Sequence, residues 1–237
     1  MITHCQCGDA ATIIYVDHTD AAQLRQKYQG DAHVVADEIV DVDAVWGAAT
    51  LEQALGGKRV DNVVASHVKE HVPDVVAWLN ELRSVLNPGG EVRLIVPDKR
   101  FTFDYFREET HIASILYNNL IRARIPQPQI LIDYCINVAR VDCVSAWKAP
   151  LDPFATERHH NLETALDLAR DCLENSAYHD MHCWVFSPRS FAPLSREMAE
   201  LDLIDLACGN FFDTARNDME FFISPKPSND KSHIVSS

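Results

Sequence analysis

The chain has 237 residues, 47% of them hydrophobic and 24% charged, a composition that suits one globular domain able to bury a substantial core. Its 21 Lys and Arg stand against 35 Asp and Glu, and the formal charge of -14 repels a phosphate backbone, so nucleic acid is not an expected partner. No apolar run reaches the roughly 20 residues that cross a bilayer, and the N-terminus lacks the basic and apolar regions of a secretory signal, so a cytoplasmic location without a membrane partner is expected.

The seven cysteines are odd in number and scattered, which reads as free thiols in a reducing compartment. Cys5 and Cys7 form a close pair, but no second pair is present to complete a zinc site. In chain order, residues 12–16 read as a buried strand followed directly by Asp17 and His18, and Thr19 or Asp20 can cap a helix over about 21–28 that ends at Gly30. Residues 34–42 mix apolar and acidic side chains like a second strand, and 50–55 form a short helix stopped by Gly56 and Gly57. Residues 60–65 (VDNVVA) make a third strand.

Pro73 and Asp74 open the clearest helix, in which Val75, Val76, Leu79, Leu82 and Leu86 recur at helical spacing until Pro88, Gly89 and Gly90 terminate it. Residues 92–96 (VRLIV) form the next strand, ended by Pro97, and strand, helix and strand in succession imply a parallel sheet. After Thr110 helices are expected near 112–122, 130–140 and 162–175. Strands return near 203–207 and 219–223 as an antiparallel edge hairpin. The segment from Pro225 to the end is polar and expected to be a disordered tail.

The segments YVDH at 15–18, VDNVVASHVKEH at 60–71 and LNELRSVLNPGGEVRLIVPDKRFTFD at 79–104 occur in the order and spacing of methyltransferases that use S-adenosylmethionine. The chain resembles that superfamily, its class I, type 11-like members, over about residues 13–107. It is similar to a narrower subgroup in its Pro-Asp-Lys-Arg after a strand and its distal HCWVFSP at 182–188.

The resemblance implies an α/β fold with a doubly wound, mostly parallel Rossmann-like sheet, in one domain over 1–224 with a helical insertion at about 111–180 and a tail at 225–237. The implied activity is methyl transfer from S-adenosylmethionine. In such a sheet ligands bind beyond the carboxyl ends of the strands, where Asp17, Asp43, Ser66, His67 and Asp98 would lie. By resemblance Asp17 would accept from both cofactor ribose hydroxyls, although a turn or cap role suits the same residue. Asp41 or Asp43 would face the adenine, with Asp43 the better alignment, and two solvated loop acids are the other reading.

Ser66 and His67 would line the methionine part of the cofactor, and His67 would be the candidate catalytic base, or else a histidine satisfied by backbone hydrogen bonds. The Glu70 and His71 pair reads as a brace between its loop and the following helix. Arg100, Asp104 and Arg107 form a charged cluster that would dock an anionic group of a small-molecule substrate, or else an exposed ion-pair network. His159, His160, His179, His182 and Cys183 match no zinc spacing, so no metal is expected. The oligomeric state is not legible.

The superfamily pattern also calls for a strand and a glycine-rich loop ahead of YVDH, where this chain has MITHCQCGDAA with Gly8 alone. The sheet is therefore expected to be incomplete at its first strand, as in an N-terminally truncated member, and cofactor binding to be impaired. A non-catalytic binding or scaffold protein of the same fold is the alternative expectation.

Overall fold

The structure is a computed structural model and describes residues 12–30 and 34–227. The first strand, β1 (Val16–Asp17), pairs in parallel with β2 (Ala44–Val45). Between them α1 (Ala21–Lys27) starts at Asp20, whose side chain accepts from the Gln23 N–H. The strand expected at 34–42 does not form. Ala36–Glu38 is a 3-10 turn, and the Arg25 guanidinium of α1 takes the Ile39 carbonyl at 2.7 Å, an acceptor that a strand ladder would have needed.

Helix α2 (Leu51–Ala54) opens on a capping box between Thr50 and Gln53 and leads through Gly56 and Gly57 into β3 (Val60–Ser66). Helix α3 (Val75–Ser84) is capped by Asp74, whose carboxylate accepts from the Ala77 N–H and from Asn119. The Pro-Gly-Gly expected to end this helix instead belongs to β4 (Leu86–Pro97). Its register against β3 jumps from Val60↔Leu86 to Asn62↔Glu91, so Asn87 to Gly90 are looped out as a bulge. Gly90 is required there, because a Cβ would lie 2.9 Å from the Asp61 carbonyl.

Helices α4 (Ile112–Leu120), α5 (Pro128–Asn137), α6 (Cys143–Lys148) and α7 (Leu162–Asn175) follow, and α5 packs along α7 around Leu131, Cys172 and Met181. Helix α8 (Pro188–Glu200) was not expected, although Ser187 as cap, Pro188 in the first turn and Phe191, Leu194 and Met198 at helical spacing all announce it. The described residues end with β5 (Leu206–Phe212) and β6 (Glu220–Pro227), so β6 runs to Pro227, into the segment expected to be tail. Residues 228–237 lie outside the described ones.

The order of the four-stranded sheet is β3-β4-β6-β5: parallel between β3 and β4, antiparallel from β4 to β6 and from β6 to β5. Among the described residues β1 and β2 form a separate two-stranded ribbon. The expectation that the first strand and glycine-rich loop are missing concerns residues 1–11, which lie outside the described residues. Alternate residues of β4, Val92, Leu94 and Val96, join Phe221 and Ile223 of β6, the apolar stripe of α3 and Phe191, Leu194 and Met198 of α8 in one core. Each large side chain buried there contributes on the order of 1.5–3 kcal/mol. Ile14 and Val16 pack against the same core, which ties the ribbon to the larger sheet through side chains. Helices cover a partly parallel sheet, the α/β Rossmann-like arrangement. Among the described residues no helix is long and apolar enough to cross a membrane.

Candidate functional site

The carboxyl ends of β3 and β4 carry a group of polar side chains. β3 ends at buried Ser66, and His67 follows with φ +52, a left-handed conformation uncommon for a non-glycine residue and of the kind found where surrounding contacts over-determine the backbone. Its N–H donates to the Ile95 carbonyl of β4 at 3.1 Å. The imidazole Nε2 lies 2.6 Å from Glu220 Oε2 at the start of β6, and an ionised carboxylate can only accept, so Nε2 carries the proton and Nδ1 keeps its lone pair. That Nδ1 lies 3.7 Å from Glu70 Oε1.

Glu70 is 0% exposed and lies in a 3-10 turn, Lys69–His71, that links β3 to α3. Its backbone carbonyl accepts from both Cys183 and Trp184, strapping the distal HCWVFSP segment onto the turn. The Trp184 indole N–H closes the strap on the Val72 carbonyl at 2.6 Å. Neither carboxylate oxygen of Glu70 has a hydrogen-bond donor. The Lys69 ammonium has no hydrogen-bond partner and is sandwiched between the Phe186 and Phe191 rings at 3.4 and 3.6 Å; burial pushes its pKa well below the ordinary lysine value, against the opposing pull of the Glu70 charge.

The histidines around Glu70 are each held by an acid. His71 Nδ1 lies 2.9 Å from Asp180 Oδ1, and His182 Nδ1 lies 2.6 Å from Asp104 Oδ2. Asp180 also binds Lys27 of α1 at 2.8 Å; the His71 and Lys27 bonds hold its carboxyl far below the usual carboxylate range. Asp104 is buried, which opposes its charge, yet His182 and Arg107 outweigh that and keep its pKa low.

The expected substrate-docking residues separate into two groups. Arg107 is 3% exposed and spends its guanidinium on Asp104, Asp133 and the His182 carbonyl, so with Asp104 it forms a buried brace, where an exposed ion-pair network or an open anion dock had been the expectations. Arg100 is a wall of an open cleft of about 500 Å³ that also includes Lys99, Lys148 and the stacked Phe101 and Trp147 rings. Its guanidinium forks onto the carboxylate of Asp98, which is itself buried and accepts from Thr214.

The expected cofactor residues lie on both sheets. Asp17 ends β1, half-buried; burial opposes its charge, but the His18 ring and N–H outweigh it and lower its pKa. Both of those contacts fall on Oδ1, which leaves Oδ2 as an acceptor able to take a ribose hydroxyl, so the donor chemistry of a nucleoside fits this strand end. Asp43 is exposed, and its Oδ2 takes the Tyr15 N–H at 2.8 Å, a link between β1 and β2. Asp41 pairs with Arg25 instead.

Of the histidines considered for a metal, His159 and His160 lie beside each other near Tyr134, and His179 pairs with Asp171. His182 alone joins Glu70 and His71. That gathering was hidden in the sequence because its members lie on opposite sides of the helical region; the signal was present in two motifs, KEH and HCWVF, read apart.

The family model described as methyltransferase domain matches residues 3–94, through β1, β2, β3, α3 and most of β4. A comparison with curated proteins gives no match. With the strand order above and the acid at the end of β1, the match makes residues 3–94, less than half of the chain, similar to the class I S-adenosylmethionine-dependent methyltransferase superfamily and supports that superfamily for this part.

Proposed function

We propose that the chain transfers a methyl group to a small, hydroxyl-bearing acceptor, with His67 as the base. The observation that carries this reading is the His67–Glu220 dyad at 2.6 Å, set on a strained backbone at the carboxyl end of β3, where an α/β sheet presents its ligand crevice. The bound cofactor would supply an electrophilic sulfonium methyl. Asp17 would hold its ribose through Oδ2, Asp43 would stand near its adenine, and Ser66 and His67 would border its methionine part. His67 Nδ1 would take the acceptor proton, and the Glu220 carboxylate would stabilise the imidazolium so formed.

Lys99, Arg100 and Lys148 around the open cleft suit an acceptor with an anionic group, and the overall charge of -14 disfavours nucleic acid. Cys135, Cys143, Cys172, Cys183 and Cys208 are unpaired, which fits a reducing, cytoplasmic setting.

A non-catalytic binding role is the second reading. The observation that favours it is the lack of strand pairing between β1 and β3 among the described residues, which leaves Asp17 on a separate ribbon. Calorimetric titration with S-adenosylmethionine decides between the two. Saturable binding weakened at least tenfold by Asp17→Ala is expected for the transferase, while no heat at millimolar ligand makes the chain a binding protein.

A further inference from the structure

Among the described residues, Glu70, His71 and His182 each offer a ligand atom, and all these atoms lie within 4.8 Å of one another. We propose that these three side chains form a binding site for a divalent first-row metal ion of the zinc type.

Three observations on the page carry this. The first is Glu70: a carboxylate with no exposure and no hydrogen-bond donor on either oxygen is costly unless a proton or a cation satisfies it. The neighbouring imidazoles do not serve as donors. His67 Nδ1 stands at 3.7 Å and His182 Nε2 at 3.9 Å from Glu70 Oε1, beyond hydrogen-bond length.

The second is the orientation of the two histidines. Asp180 takes His71 Nδ1 and Asp104 takes His182 Nδ1, so each ring keeps its proton on that nitrogen and turns Nε2 out as a ligand. A carboxylate behind each ligating imidazole is the arrangement that fixes tautomer and raises basicity at metal centres. The third is spacing. Bonds of roughly 2.0–2.2 Å set neighbouring ligand atoms about 3–4 Å apart, and the 3.9 Å between His182 Nε2 and Glu70 Oε1 falls inside that range.

Two imidazoles and one carboxylate suit zinc and its neighbours better than magnesium or calcium, and they leave coordination positions open. The side chain of His71 is 33% exposed, which gives an ion a way in. At such a centre the metal would bind an acceptor hydroxyl and ease its deprotonation, with His67 beside it. That role rests on the methyl-transfer reading; the binding of the ion does not.

The test therefore measures metal and not methyl transfer. The full chain, stripped with a chelator and desalted, is titrated with Zn²⁺ by calorimetry, and its bound metal is counted by mass spectrometry. A parallel sample loaded with Co²⁺ is read by its visible d–d absorption. One ion per chain is expected, with affinity reduced at least tenfold and the Co²⁺ spectrum altered in His71→Ala, a variant of a partly exposed residue whose fold is checked by circular dichroism. Glu70→Gln, which keeps the shape of the buried side chain, should lose the ion as well. Cys5→Ser/Cys7→Ser should keep it. No retained zinc in the wild type, zinc held as tightly by His71→Ala, or zinc lost only with the two cysteines would each overturn the proposal.

Discussion

His182 Nδ1 lies 2.6 Å from Asp104 Oδ2 while Arg107 Nη1 lies 2.9 Å from Asp104 Oδ1, so one buried acid aligns a histidine and a guanidinium that come from distant parts of the chain. Removing the guanidinium leaves Asp104 without its buried counter-ion. Arg107→Met is expected to cost about 3–5 kcal/mol of stability, read as a lower urea midpoint at unchanged slope. A loss under 1 kcal/mol would mean that the ion network contributes little to holding the HCWVFSP segment in place.

Asp17 yields a pH prediction. Its folded pKa lies below the ordinary 3.8, so its contribution to stability is present above that value and disappears as the pH falls through the lower folded one. A carbon-detected titration should find its midpoint below 3.8, and His18→Ala should move it upward. A midpoint above 3.8 in the wild type would show that burial outweighs the two His18 contacts.

The assignment of His67 as base predicts that His67→Ala lowers kcat by about 100-fold while leaving cofactor affinity within a few-fold. Glu220→Gln should produce a smaller loss, since the glutamine amide no longer stabilises a charged imidazole. Steady-state rates with a methyl-accepting substrate check both. Equal activity of His67→Ala and the wild type would remove the base from the scheme.

Gly90→Ala tests the bulge in β4. The new Cβ would meet the Asp61 carbonyl at 2.9 Å and the Asn87 carbonyl at 3.0 Å, both backbone atoms that cannot swing aside. A loss of about 1–3 kcal/mol is expected from such overpacking, measured by chemical denaturation. Gly89→Ala tests a different cost, because at φ +82 it has open space around its Cβ but a backbone conformation that L side chains rarely adopt.

Much of the fold was legible because α3, β3 and β4 carry their signals locally: an Asp74 cap, an apolar stripe and short β-branched runs. Where local signals competed, the reading slipped. Residues 34–42 have the composition of a strand, but Arg25 reaches across from α1 to take a carbonyl there, and no periodicity announces such a contact.

Asp17, Ser66 and His67 were legible as strand-end residues, whereas the grouping of Glu70, His71 and His182 depends on a backbone strap from Cys183 and Trp184 to the Glu70 carbonyl. Spacing rules for metal sites look within one motif; here two motifs on opposite sides of the helical region are brought together by the fold. Arg107 shows the opposite error: charge in a polar stretch suggested exposure, and the structure spends it inside.

The placement of β6 between β4 and β5 bears on how the polypeptide can be made. Both neighbours leave the ribosome before it, and neither has its hydrogen-bonding edge satisfied on that side until Glu220–Pro227 has been synthesised. The nascent chain thus carries two open edges and the unfilled place of Phe221 and Ile223 until β6 has emerged, and this interval is where holding by a chaperone, or misassembly with a neighbouring nascent copy, would act.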